Sequence, residues 1–108
     1  MNGKLTTHVL DLTEGKPAAG LLVELHDSSG RLLKSITTNA DGRGDAPLLA
    51  HGEMLAGEYE LRFHVGAYFG ETAFLDQVPV RFRISDPNAA YHVPLLCTPW
   101  AYSTYRGS

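Results

Sequence analysis

The stretch Glu58-Tyr59-Glu60-Leu61-Arg62-Phe63-His64-Val65 decides the fold. Its apolar residues Tyr59, Leu61, Phe63 and Val65 fall on every second position, and charged or polar residues fill the gaps. A period of two places the two sets on opposite faces of a strand, with the apolar set turned to a core. The same beat recurs downstream. Val78, Val80, Phe82 and Ile84 alternate with Pro79, Arg81 and Arg83, and Tyr91, Val93, Leu95 and Cys97 alternate with His92, Pro94, Leu96 and Thr98. Further strands are predicted over residues 5–12, 21–26 and 32–38, with a last one over about 101–105.

Turn chemistry separates these runs. Asp27-Ser28-Ser29-Gly30 reads as a hairpin connection, and Asn39-Ala40-Asp41-Gly42 as a turn in which Gly42 is free to take a positive φ. Thr13-Glu14-Gly15-Lys16-Pro17 closes the first strand, and Ser85-Asp86-Pro87-Asn88 ends another. Residues 48–55 are less regular and read as a loop. Residues 67–73 are the one candidate for a short helix, interrupted by Gly70. Seven or eight short strands at regular spacing predict an all-β, antiparallel sandwich, and 108 residues without a linker predict a single domain over residues 1–108.

Composition excludes several functions. A net charge of -3 with scattered Lys and Arg offers no basic patch for nucleic acid or a membrane surface. No apolar run is long enough to span a bilayer, and residues 1–16 lack the apolar centre of a secretory signal. The tripeptide Arg106-Gly107-Ser108 is not a peroxisomal address. Cys97 is the single cysteine, so no intrachain disulfide forms, which predicts a cytoplasmic protein.

Two histidines fall on the polar beat of their strands. His8 points away from the side that carries Val9, and His92 away from Tyr91 and Val93. Imidazole titrates near neutrality, so each is a candidate general base. Arg43 follows the 39–42 turn and would sit at an edge of the sandwich, where a guanidinium fork can face planar carbonyls and amides. The sequence ends Tyr105-Arg106-Gly107-Ser108, continuing a segment rich in strand formers. That tail would hold a cation, a flexible backbone, a hydroxyl and a carboxylate in place beside the last strand.

Other site types fail on spacing. The histidines, His8, His26, His51, His64 and His92, show no zinc pattern, and Cys97 has no partner cysteine. Thr37 and Leu48 stand where a calcium loop needs carboxylates. Gly42-Arg43-Gly44 lacks the spacing of a phosphate loop, and Ser103 and Ser108 lack a nucleophile elbow. Cys97 lies on the apolar beat and belongs to the core. No cofactor or metal is expected.

Four segments together carry a resemblance: Thr7-His8-Val9-Leu10-Asp11, Thr38-Asn39-Ala40-Asp41-Gly42-Arg43, Tyr91-His92-Val93-Pro94-Leu95-Leu96 and Tyr105-Arg106-Gly107-Ser108. In this order and spacing the chain resembles the 5-hydroxyisourate hydrolases, the transthyretin-related proteins, from about Leu5 to Ser108. The resemblance implies a transthyretin-like sandwich and hydrolytic opening of a cyclic amide in urate breakdown. It implies His8 and His92 as a water-activating pair and Arg43 as substrate anchor and charge stabiliser. The Ser108 carboxylate would orient one imidazole, and Tyr105, Arg106 and Gly107 would close the substrate site. It further implies a homotetramer, a dimer of dimers, with sites between subunits. The rival from another class is transthyretin itself, a small-ligand carrier of the same fold that needs an apolar channel and no base. A third is a structural sandwich module appended to larger proteins.

Overall fold

The computed structural model describes residues 3–50 and 52–107. Among the described residues nine strands form two sheets: β1 (Lys4–Asp11), β2 (Lys16–Pro17), β3 (Leu22–Asp27), β4 (Leu32–Thr37), β5 (Leu49–Ala50), β6 (Gly57–His64), β7 (Gln77–Ile84), β8 (Ala90–Cys97) and β9 (Tyr102–Thr104). One sheet runs β2-β1-β8-β9, with β5 on β1, and the other runs β4-β3-β6-β7. Their apolar faces meet in one core, where Leu5, Val23, Leu25, Leu61, Phe63 and Leu95 are fully buried. The alternation read from residues 58–65 is therefore the alternation of core and solvent.

Three details differ from the sequence-based expectation. The pairing is not wholly antiparallel: β1 and β8 run parallel, with Thr6 opposite His92 and His8 opposite Pro94. Periodicity reports which residues share a face, and direction depends on which distant strand is the neighbour. Residues 48–55 are not all loop, because Leu49 and Ala50 pair with Leu5 and Lys4. Like β2, that strand is two residues long, too short to display a period. The helix, α1, spans Val65–Phe69 rather than 67–73. Gly70 takes φ 102° and stops it. Tyr68 in its last turn donates to Asp11 Oδ2 at 2.8 Å, and the other carboxylate oxygen accepts from the amides of Thr13 and Glu14. Burial, together with the Asp11 carboxylate, pushes the Tyr68 hydroxyl up to about 12.

The β1–β8 pair matters most for function. Parallel register carries Thr6, His8 and His92 on the outward face of one sheet, while Leu5, Val9, Tyr91 and Val93 fill the core beneath.

Candidate functional site

Residue 43 is placed by a turn that closes on itself. The Asn39 side chain accepts from the amides of Asp41 at 2.9 Å and Arg43 at 3.1 Å. Its own amide group donates to Asp45 Oδ1 at 3.0 Å. Gly42 sits at φ 76°, and its carbonyl accepts from Val9 N at 2.8 Å. A Cβ built at Gly42 would lie 2.4 Å from the Val9 carbonyl oxygen and 3.3 Å from His8 Cδ2. Only glycine lets the turn lie this close to β1. The result is a backbone bridge between His8 and Arg43 that brings residue 43 to the edge of the histidine face.

The tail is pinned on the other flank. Gly107 N donates to the His92 carbonyl at 2.7 Å. A Cβ at Gly107 would come within 2.5 Å of His92 Cδ2, so the bare backbone lies against the imidazole. On the opposite side of the ring, Thr6 Oγ1 lies 2.8 Å from His92 Nδ1.

His92 and Arg43 line one cleft of about 480 Å3, with Lys4, Thr6, Asp45 and Leu48 among its walls. The His92 pKa is held below the usual imidazole value, first by burial, then by the Arg43 charge and His8. The ring is thus neutral at neutral pH, the form a base requires. Among the described residues neither His8, His92 nor Arg43 forms an ion pair with a carboxylate.

A larger cleft of about 620 Å3 lies on the opposite sheet, lined by His26, Glu58, Glu60, Arg62, Arg81 and Arg83 among others. Its guanidiniums are already engaged. Arg62 and Arg81 share Glu60, whose carboxyl they hold below its usual range, and Arg83 bonds Glu58 at 3.2 Å. The smaller cleft is the better candidate because, among the described residues, its Arg43 and His92 make no ion pair with a carboxylate.

The expected site residues divide into two groups. The fold brings His8, Arg43, His92 and Gly107 together. Arg106 and Tyr105 lie elsewhere within the single chain. The Arg106 guanidinium stacks 4.3 Å over the Tyr91 ring and contacts the Ala90 carbonyl, on the core side of β8. Both residues line a separate cleft of about 300 Å3 with Val80, Phe82 and Val93. The side-chain alternation explains the separation, since Tyr91 and His92 face opposite ways. Ser108 and His51 lie outside the described residues. Among the described residues no group of three His, Cys, Asp or Glu is arranged to hold a metal ion. Two residues escaped the sequence reading. Thr6 gives no signal until β1 and β8 are known to be parallel, and Asn39 stood in a recognised motif without a role.

This geometry defines a class: a small two-sheet sandwich with an outward polar cleft that holds His92 and Arg43, and with His8 on the same sheet face. The sequence pattern of the Transthyretin family (HIUase/Transthyretin family) matches residues 5–107, and the chain belongs to that family. It is 52% identical to a 5-hydroxyisourate hydrolase of Halalkalibacterium halodurans, covering 100% of each chain. Among solved structures it resembles the Klebsiella pneumoniae 5-hydroxyisourate hydrolase at TM-score 0.87 and 37% identity, covering 98% of this chain and 99% of the other. It also resembles sea bream transthyretin, solved with thyroxine, at TM-score 0.86 and 26% identity, covering 96% and 94%.

Proposed function

We propose that this protein hydrolyses 5-hydroxyisourate, opening its six-membered cyclic amide in purine breakdown to give the ureidoimidazoline carboxylate, 2-oxo-4-hydroxy-4-carboxy-5-ureidoimidazoline. The observation that carries the reading is His92 in one cleft with Arg43, with His8 on the same sheet face and, among the described residues, no carboxylate ion pair to any of the three. The similar hydrolases add to it. The planar ureide edge of the substrate docks on the Arg43 guanidinium. His92, paired with His8, takes a proton from water as the water oxygen bonds to the ring carbonyl carbon. Arg43 offsets the charge that develops on the carbonyl oxygen. The carbon–nitrogen bond then breaks, and the leaving nitrogen receives the proton. Ser108 is assigned the orienting carboxylate, and Arg106 and Tyr105 the anchoring of the tail that brings Gly107 to His92.

The chain acts as a tetramer in this reading. β7 and β9 each form one edge of their sheet, and the cleft shared by Val80, Phe82, Thr104 and Tyr105 puts these two edges on one side of the sandwich. Two unpaired edges invite strand addition by a second copy. Exposed Trp100, Tyr102 and Tyr105 supply apolar surface for it. Cys97 is a buried free thiol, which suits a reducing cytoplasm. The carrier reading is disfavoured by the cleft itself, because Lys4, Arg43 and Asp45 give a small aromatic ligand a charged wall.

The test is direct. Fresh 5-hydroxyisourate is followed by its ultraviolet absorbance with and without the protein. Decay many times faster than the spontaneous rate is expected. Decay at the spontaneous rate, with the protein folded, would defeat the reading.

A further inference from the structure

We propose that Thr6 is a positioning residue for His92, accepting the proton of Nδ1 so that Nε2 is the nitrogen left to act in the cleft. The proposal rests on the ring-opening reading for its kinetic arm. Thr6 and His92 are direct partners in the parallel β1–β8 register, with Thr6 Oγ1 2.8 Å from Nδ1. The neighbouring Thr7 is spent differently: it is buried and donates to the Val93 carbonyl at 2.7 Å. Adjacent threonines thus grip β8 from both faces, one at the backbone and one at the imidazole. The β-branch of Thr6 restricts its χ1 and so fixes where the hydroxyl sits. Gly107 lies against the ring's Cδ2 side. Between them, the ring has little room to turn.

The choice of a hydroxyl has a chemical consequence. Most positioned histidines rest on a carboxylate or a carbonyl. A carboxylate here would stabilise the imidazolium and raise the pKa of the base. A neutral hydroxyl orients the ring without adding charge. The proton balance is simple. Water gives its proton to Nε2 as its oxygen bonds to carbon, Nδ1–H stays on Thr6 throughout, and Nε2 returns the proton to the leaving nitrogen.

The experiment compares T6V, which keeps the shape, with T6S, which keeps the hydroxyl. T6V should lower kcat about tenfold, the scale of one neutral hydrogen bond, with KM changed less than about threefold. T6S should stay within about threefold of wild type. The acid limb of kcat/KM should move to lower pH in T6V, because the imidazolium loses an acceptor. Among the described residues, the other charged or titratable groups around His92, namely Lys4, His8, Arg43 and Asp45, are unchanged in both variants. Wild-type kcat and an unmoved acid limb in T6V, or equal damage from T6S and T6V, would overturn the proposal. Nitrogen-15 spectra of the wild-type imidazole read the same bond without substitution or substrate. A neutral ring protonated at Nδ1 supports the assignment. A neutral ring protonated at Nε2 overturns it, whatever the reaction proves to be.

Discussion

The two outward sheet faces carry the same residue types and use them in opposite ways. On the β3–β6–β7 face every guanidinium has a carboxylate, and two histidines converge on one. His64 Nε2 lies 3.0 Å from Glu24 Oε1 and His26 Nε2 3.6 Å from it. The Glu24 carboxyl is held below its usual range, chiefly by the His64 hydrogen bond. On the β1–β8 face His8, His92 and Arg43 have no carboxylate partner among the described residues, and His92 contacts a hydroxyl instead. The contrast teaches that composition alone does not mark a site. Compensated charges lie at a shallow free-energy minimum and contribute structure, whereas uncompensated ones are left available to a substrate.

The largest expected break in this contrast comes from the bases. His92→Ala should lower turnover by about 10²–10⁴-fold, the usual range for a general base, while the melting temperature changes little. Adding His8→Ala should cost less than the product of the two single losses, because paired groups fail as a unit. Independent, multiplying losses would mean that the histidines do not act together.

Gly107→Ala should come next. The new Cβ would collide with the imidazole at 2.5 Å from Cδ2, and the ring must move. A turnover loss of roughly ten- to a hundredfold with an intact fold is expected, on the scale of a reacting group displaced by about an ångström. Normal turnover would show that the tail merely passes the site.

Arg43→Gln sharpens the comparison through pH. The Arg43 charge is the second cause of the lowered His92 pKa, after burial. Its removal should raise that pKa and shift the acid limb of kcat/KM upward. The sign for stability follows from the wild type. The folded-state pKa lies below the unfolded value near 6.5, so the folded protein holds fewer protons in that window. The associated stability is complete above the unfolded value and falls as pH drops through the window. An acid limb that stays put in Arg43→Gln would separate the guanidinium from the base.

The smallest effect is expected on the compensated face. Glu24→Gln should cost less than about 1 kcal/mol, as partly exposed ion pairs do, and leave turnover unchanged. Glu24 has a lowered pKa, so its contribution is present above the unfolded carboxylate value and lost as pH falls through the folded one.

Much of this was legible in the sequence, for reasons particular residues make plain. Phe63 and Leu61 fixed the core face because a period of two is a local property. His8 and His92 could be placed outward by the same rule. Gly42 marked its turn because only glycine suits φ 76° there. What stayed hidden was nonlocal. The parallel partnership of Thr6 with His92 joins residues 86 positions apart, and nothing near Thr6 announces it. The placement of Arg106 was hidden as well, because its side chain turns to Tyr91, on the other side of the strand from His92.

The comparison of faces is tested most directly by two double variants assayed on fresh 5-hydroxyisourate. One replaces His26 and His64 with Asn, and the other replaces His8 and His92 with Asn. Near wild-type turnover for the first and a loss of at least about a hundredfold for the second is the predicted result. Comparable turnover in the two folded variants would contradict the account, because the uncompensated histidines would then be no more special than the paired ones.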